Sequence, residues 1–278
     1  MRKILLSLVI ISSVAAAGVL GTRAFFSDTE TSSGNTFVAG AIDLAVGNDS
    51  YYNGAINPGT SWSLTSDLGD DSGPAGGAYL FFNFIDVKPG DWGEDTIQLR
   101  VSDNNSYVCS DVTLNTSDEN TLVEPETDMA DTAPVGELAD EINFIWWADD
   151  GDNVLEEGET ILPGGPLGVL GIGGSANVTI ADSQTSIFDP ADLTSENGFV
   201  GDQNYYIGKA WCFGNFALSP VLANGGVDPT VDPGFSCDGS LVSNISQTDS
   251  MTATIAFSAV QERNNTSFVC APPPTPAP

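Results

Sequence analysis

The densest run of side chains able to do chemistry is Asp149-Asp150-Gly151-Asp152-Asn153-Val154-Leu155-Glu156-Glu157-Gly158-Glu159. Carboxylate and amide oxygens dominate it, and Gly151 and Gly158 let the backbone turn tightly. A hard cation such as calcium takes about six to eight oxygens from carboxylates, amides and backbone carbonyls. Asp150 and Asp152 have the alternate spacing of the first two ligands of a calcium loop. Val154 would offer its carbonyl, and Glu156 and Glu159 the later carboxylates. The run departs from an EF-hand, because Val154 replaces an acidic ligand, Gly158 falls too late and no helix pair flanks it. The expected cofactor is therefore calcium in a loop of another type. The other reading is an acidic, solvated hairpin turn.

Other chemistries are constrained by what the composition lacks. The chain has no His, which removes the usual zinc ligand, the usual general base and every Ser-His or Cys-His nucleophile. With 38 Asp and Glu, no pair can be singled out as a glycosidase acid and base. Trp146-Trp147 reads either as a sugar-stacking platform or as a strand whose two rings pack on opposite faces. Four Cys admit three pairings. Cys212 and Cys237 close a short loop and form the expected first pair, which leaves Cys109 with Cys270. Those two also follow similar local sequences, Asn104-Asn105-Ser106-Tyr107-Val108 and Asn264-Asn265-Thr266-Ser267-Phe268-Val269. No Cys-x-x-Cys occurs, which argues against redox and zinc roles. Asn-x-Ser/Thr triplets begin at Asn48, Asn104, Asn115, Asn177, Asn244, Asn264 and Asn265, and would mark exposed turns and strand ends if glycosylated.

The elements that must carry these residues read as strands. Thr36 to Val46 alternates, with Ile42, Leu44 and Val46 on one face. Ala78 to Val87 is the most apolar internal run and reads as a central strand ended by Lys88-Pro89-Gly90. Thr96 to Val101, Val108 to Leu114 and Met251 to Ala259 alternate with a period of two, the mark of half-buried antiparallel strands. One short helix is expected over Val135 to Ile142. Asp67 to Gly77 and Leu222 to Gly239 read as loops rich in Gly, Pro and Asp. The expected fold is all-β: a two-sheet antiparallel sandwich with long loops and at most one or two short helices.

At the start, Met1-Arg2-Lys3, the uncharged stretch Ile4 to Leu20 and the small residues before Ala24 have the layout of a secretory signal peptide. Cleavage is expected between Ala24 and Phe25, leaving no stable membrane span; a retained anchor is the other reading. Losing Arg2, Lys3 and Arg23 takes the net charge from −31 to −34. Such a surface repels nucleic acid and anionic lipid, and it attracts divalent cations or keeps a protein soluble at high salt. The cut would leave Phe25-Phe26 on a free end, followed by a polar extended segment to residue 35. The main domain is then residues 36–270, with a stiff Pro-rich tail at 271–278.

Gly21-Thr22-Arg23-Ala24-Phe25-Phe26-Ser27-Asp28-Thr29-Glu30, Gly34-Asn35-Thr36-Phe37 and Gly40-Ala41-Ile42-Asp43-Leu44 resemble the camelysin/TasA family. Asp86-Val87-Lys88-Pro89-Gly90-Asp91 and Tyr206-Ile207-Gly208-Lys209-Ala210-Trp211-Cys212 look like further blocks of it. The resemblance implies a jelly-roll-like sandwich and cleavage by a SipW-type signal peptidase. It also implies a secreted, non-enzymatic subunit of extracellular filaments or a biofilm-type matrix. Assembly would be by donor-strand exchange, with Phe25 and Phe26 as groove anchors. The implied partners are further copies of the chain and accessory matrix or anchoring subunits. The alternative is a secreted, calcium-stabilised carbohydrate-binding module or hydrolase. The metallopeptidase label of some relatives does not suit a chain without His.

Overall fold

A computed structural model describes residues 27–32, 42–129, 131, 134–189 and 197–270. Within them the chain is mostly strand, and every paired strand is antiparallel. In chain order the strands are β1 (Ser27–Ser32), β2 (Leu44–Tyr52), β3 (Ala55–Ile56), β4 (Trp62–Thr65), β5 (Trp92–Val101) and β6 (Ser106–Asp118). Two short helices follow, α1 (Glu124–Asp128) and α2 (Leu138–Glu141). Then come β7 (Ile142–Asp149), β8 (Ile161–Pro166), β9 (Ser175–Ala181), β10 (Asn204–Phe213), β11 (Asn215–Leu218), β12 (Phe235–Asp238) and β13 (Ser250–Gln261).

One sheet runs β1-β13-β6-β9. The larger runs β3-β2-β5-β10-β7-β8, with β4 also on β2, and β11-β12 form a separate hairpin. Alternation decides which side chains go where. On β5, Ile97, Leu99 and Val101 join Ile207 of β10, Phe144 and Trp146 of β7, and Ile255 and Phe257 of β13 in one core cluster drawn from both main sheets. The opposite face of β5, β7 and β10 is covered too: Trp147, Ala210, Leu155 and Phe235 form a smaller cluster with Trp92, Ile145 and Phe216. Gly208 makes room for it, since a Cβ there would lie 1.9 Å from the Trp147 ring.

Most expected strands are present and longer than their alternation implied. Residues 36–41 lie outside the described residues, and β2 continues to Tyr52. The expected helix is one turn, α2. The loop Leu222 to Gly239 ends in β12. The aromatic run Ala78 to Val87 is a correction, since it is irregular apart from an isolated bridge between Ala75 and Ala78. Its aromatic side chains lie against both main sheets. Phe81 packs on Trp62 and Phe257, while Phe82 packs on Phe144 and Phe84 on Trp211 and Tyr52. Asp86 takes a positive φ of 61°, and Ile85 is 90% exposed, neither of which suits a central strand.

Candidate functional site

The acidic run leaves the sheet at the end of β7, where Asp149 is still buried on the outer face. Thr96, on β5 at the far side of β10, has its hydroxyl 2.9 Å from both Asp149 Oδ2 and Asn153 Oδ1. One hydroxyl proton serves only one of them; with its amide turned over, Asn153 would donate to the hydroxyl instead. Asn153 has a positive φ of 66°, which folds the loop back, and Asp152 Oδ1 accepts the Val154 N–H at 3.0 Å. The result gathers carboxylate oxygens of Asp149, Asp150 and Asp152 within 4.8 Å of one another.

The expected ligand set is only partly brought together. Asp150 and Asp152 meet, with Asp149 as their third member. Val154 is fully buried, as is Leu155. Glu156 and Glu159 lie outside that carboxylate group and engage each other, the Glu156 N–H donating to Glu159 Oε2 at 2.7 Å. Glu156 Oε2 accepts the Asn224 N–H at 2.8 Å, which fastens the loop to the segment before β12. The segment is thus anchored at Val154 to Glu156 rather than being a freely solvated turn. The physical reason for the narrower set is burial: two apolar residues are drawn into the protein between the acidic halves.

A residue outside the run completes the picture. Glu94 on β5 is 0% exposed, and neither of its carboxylate oxygens has a hydrogen-bond partner. Burial, then the charges of Asp95, Asp149 and Asp152, push its carboxyl up to about 9. Burial likewise lifts Asp149 to about 7 against the opposing Thr96 hydrogen bond, and lifts Glu159 to about 8. Asp149 Oδ1 also lacks a partner. These are acids held together at a cost that a bound cation would relieve. The sequence signal for Glu94 is slight: Glu94-Asp95 is an acidic pair inside a strand, so each face of the sheet must receive one.

Asp95 faces the other way, where Lys209 of β10, also 0% exposed, places Nζ 2.6 Å from its Oδ2. Asn48 Nδ2 donates to Asp95 Oδ1 at 2.9 Å and to the Thr60 carbonyl at 2.7 Å. The Lys209 ammonium also lies 3.7 Å from the Phe82 ring centroid. Asn48 is therefore committed to the interior, and its triplet does not mark an exposed turn. Trp146 and Trp147 are both buried, on opposite faces of β7, so neither ring offers a face to a sugar.

In the smaller of the two main sheets, β1 pairs with β13 over six residues, from Ser27 opposite Val260 to Ser32 opposite Ile255. It is the outermost strand of its sheet. Phe25, Phe26 and the cleavage point at Ala24 lie outside the described residues, as does the tail 271–278. Beyond the end of β1, Met251 to Ala253 of β13 border a cleft of about 1070 Å³, lined also by Phe82, Phe84 and Trp211. Cys212 is bonded to Cys237, the pair that closes the short loop, and Cys109 to Cys270, the pair that remains. Two disulfides belong to an oxidising, extracellular-type environment. Among the described residues no helix is long and apolar enough to cross a membrane.

Comparison with protein-family models yields no match, and comparison with curated proteins yields none either.

Proposed function

We propose that this chain is a secreted structural subunit of extracellular filaments or surface matrix, assembling by giving its N-terminal strand to the next copy. The supporting observation is the seat of β1. Among the described residues it lies on the edge of β13, with partners on one side only, and its place there is defined by backbone pairing. β13 is an uncharged strand from Ser250 to Gln261, so an incoming strand carrying Asp28 and Glu30 meets no like charge along it. The same seat serves a strand from the same chain or from another copy. Exchange between copies is head-to-tail and does not close, which makes a filament rather than a dimer. The jelly-roll-like sandwich and the SipW-type processing belong to this reading. So does calcium in the acidic loop, where Asp149, Asp150 and Asp152 would hold the ion beside Glu94 and supply the negative charge it needs.

Two measurements test the assembly. Removing residues 25–33 should leave a folded protein that forms no filaments by negative-stain microscopy; filaments from the truncated chain would refute the reading. The second uses register. Thr29 stands opposite Ser258, and directly opposed residues in antiparallel strands lie within disulfide reach. Among the described residues no native thiol is free to interfere. A Thr29→Cys preparation mixed with a Ser258→Cys preparation under oxidation should yield chains linked between molecules. Only monomers in that mixture would mean that β1 stays on its own β13.

A further inference from the structure

A second group of acids lies away from the 149–159 loop, and it is assembled from distant parts of the chain. Glu119 directly follows β6, and Asp249 directly precedes β13; the neighbouring Asp118 and Ser250 are paired across the two strands. Glu126 comes from α1 and Glu137 directly precedes α2. Carboxylate oxygens of Glu119, Glu126 and Asp249 lie within 4.8 Å of one another, and so do those of Glu119, Asp131 and Glu137. Glu119 is common to both triads.

The backbone holds these groups in place. Asp249 Oδ2 accepts the N–H groups of Glu137 at 2.6 Å and Leu138 at 3.2 Å. Ser117 Oγ donates to the Gly136 carbonyl at 2.6 Å. A Cβ at Gly136 would lie 2.7 Å from both the Asp118 carbonyl oxygen and the Asp249 carboxyl carbon, so glycine is what lets the two segments close up. Asn120 Nδ2 donates to the Thr248 carbonyl and to Ser250 Oγ, tying the residues after Glu119 to those around Asp249.

What distinguishes this group from an ordinary acidic surface is a fully buried carboxylate with one oxygen left unpartnered. Glu126 is 0% exposed; its Oε2 accepts the Val123 N–H at 2.6 Å, while its Oε1 has no hydrogen-bond partner. Oε2 of Glu137 is likewise buried without a donor, while Glu119 and Asp249 meet through a side-chain hydrogen bond that exists only while a proton sits on one of the two acids. Among the described residues the ion pairs are Lys88–Asp86, Arg100–Asp202 and Lys209–Asp95, none of them at Glu119, Glu126, Glu137 or Asp249. Burial, followed by the charges of Asp249, Glu126 and Asp131, pushes the Glu119 carboxyl up to about 7. Buried charge of one sign without partners is unstable unless a counter-charge supplies them.

We infer that Glu119, Glu126, Asp131, Glu137 and Asp249 form a binding site for a hard divalent cation of the calcium type, joining the β6–β13 end to α1 and α2. The ligand chemistry sets the class. The donors are all oxygens, there is neither imidazole nor thiolate, and carboxylates from five residues can each bind through one oxygen or two. Zinc and copper sites are made differently.

The test is calcium titration calorimetry on chelator-stripped protein in which Asp150→Asn and Asp152→Asn have disabled the 149–159 loop. Calcium uptake should persist in that background. Adding Glu126→Gln should weaken it by at least about tenfold, because one ligand charge is lost while the amide oxygen still accepts the Val123 N–H. Asp249→Asn should act in the same direction, again keeping an acceptor for the Glu137 and Leu138 N–H groups. Should the combined variants fail to fold, as judged by circular dichroism, Glu119→Gln in the otherwise native chain replaces them; it should bind less calcium than the native chain. Absence of uptake in the loop-disabled background, or unchanged uptake in folded Glu126→Gln or Glu119→Gln protein, would overturn the assignment.

Discussion

Lys209 carries its charge into the interior on the core-facing side of β10, and the residues around it show why it stays there. Its ammonium is 2.6 Å from Asp95 and lies over the Phe82 ring, while Asn48 donates to the other Asp95 oxygen. Burial draws the Lys209 pKa down and Asp95 opposes that shift. A buried pair of this kind costs desolvation on both sides, so its net contribution is small, but losing one partner strands the other. Lys209→Met should therefore destabilise the fold by about 3–5 kcal/mol. The double change Lys209→Met/Asp95→Leu should recover most of that loss, because no charge is left behind. Chemical denaturation midpoints of the three proteins measure it, and a double variant no more stable than the single would show that the pair itself holds the sheets together. The adjacent Glu94 faces the opposite side of β5, so one dipeptide supplies both the interior ion pair and the acid beside the 149–159 loop.

The elements are held by two covalent ties of very different span. Cys212–Cys237 links β10 to the β11–β12 hairpin and closes 25 residues, whereas Cys109–Cys270 fastens the end of the described chain to β6 and closes 161. If the ties act mainly on the unfolded chain, replacing both Cys of the pair by Ala should cost roughly 3.5 kcal/mol for the shorter loop and roughly 5 kcal/mol for the longer. Guanidinium unfolding of the two variants gives the ranking, and a greater loss at Cys212–Cys237 would mean that native packing of the hairpin dominates. This level also shows what a linear reading can and cannot reach. Alternation revealed β5, β6 and β13 because each has one face on the core, so its period of two is imposed by burial. Apolar density, by contrast, misled at Ala78 to Val87, where the aromatics belong to a segment that reaches both sheets without pairing to either. Likewise, the loop acids were legible because Asp149, Asp150 and Asp152 are neighbours in sequence. Glu119, Glu126 and Asp249 were not, since the pairing of β6 with β13 is what brings them together.

At the scale of the whole molecule, assembly has to overcome charge. The chain carries −31, with 38 acidic residues against seven basic ones, so two copies approaching each other repel across most of their surfaces. The proposed contact avoids part of this, since β13 is uncharged, but Asp28 and Glu30 arrive with the donated strand. Simple salt shortens the reach of that repulsion from about 10 Å at 0.1 M to about 3 Å at 1 M. Backbone hydrogen bonds and apolar burial, which would drive strand donation, are not screened in this way. The yield of intermolecular Thr29→Cys to Ser258→Cys cross-link should therefore rise with sodium chloride between these limits. It should rise further when calcium is added at constant ionic strength, because bound divalent ions neutralise carboxylates that monovalent ions only screen. An interface built on opposite charges would give the reverse, a cross-link yield falling steadily as salt increases. With so few cations in the sequence, that outcome would mean that the few Lys and Arg bring the copies together, and it would refute assembly driven by backbone pairing and apolar burial.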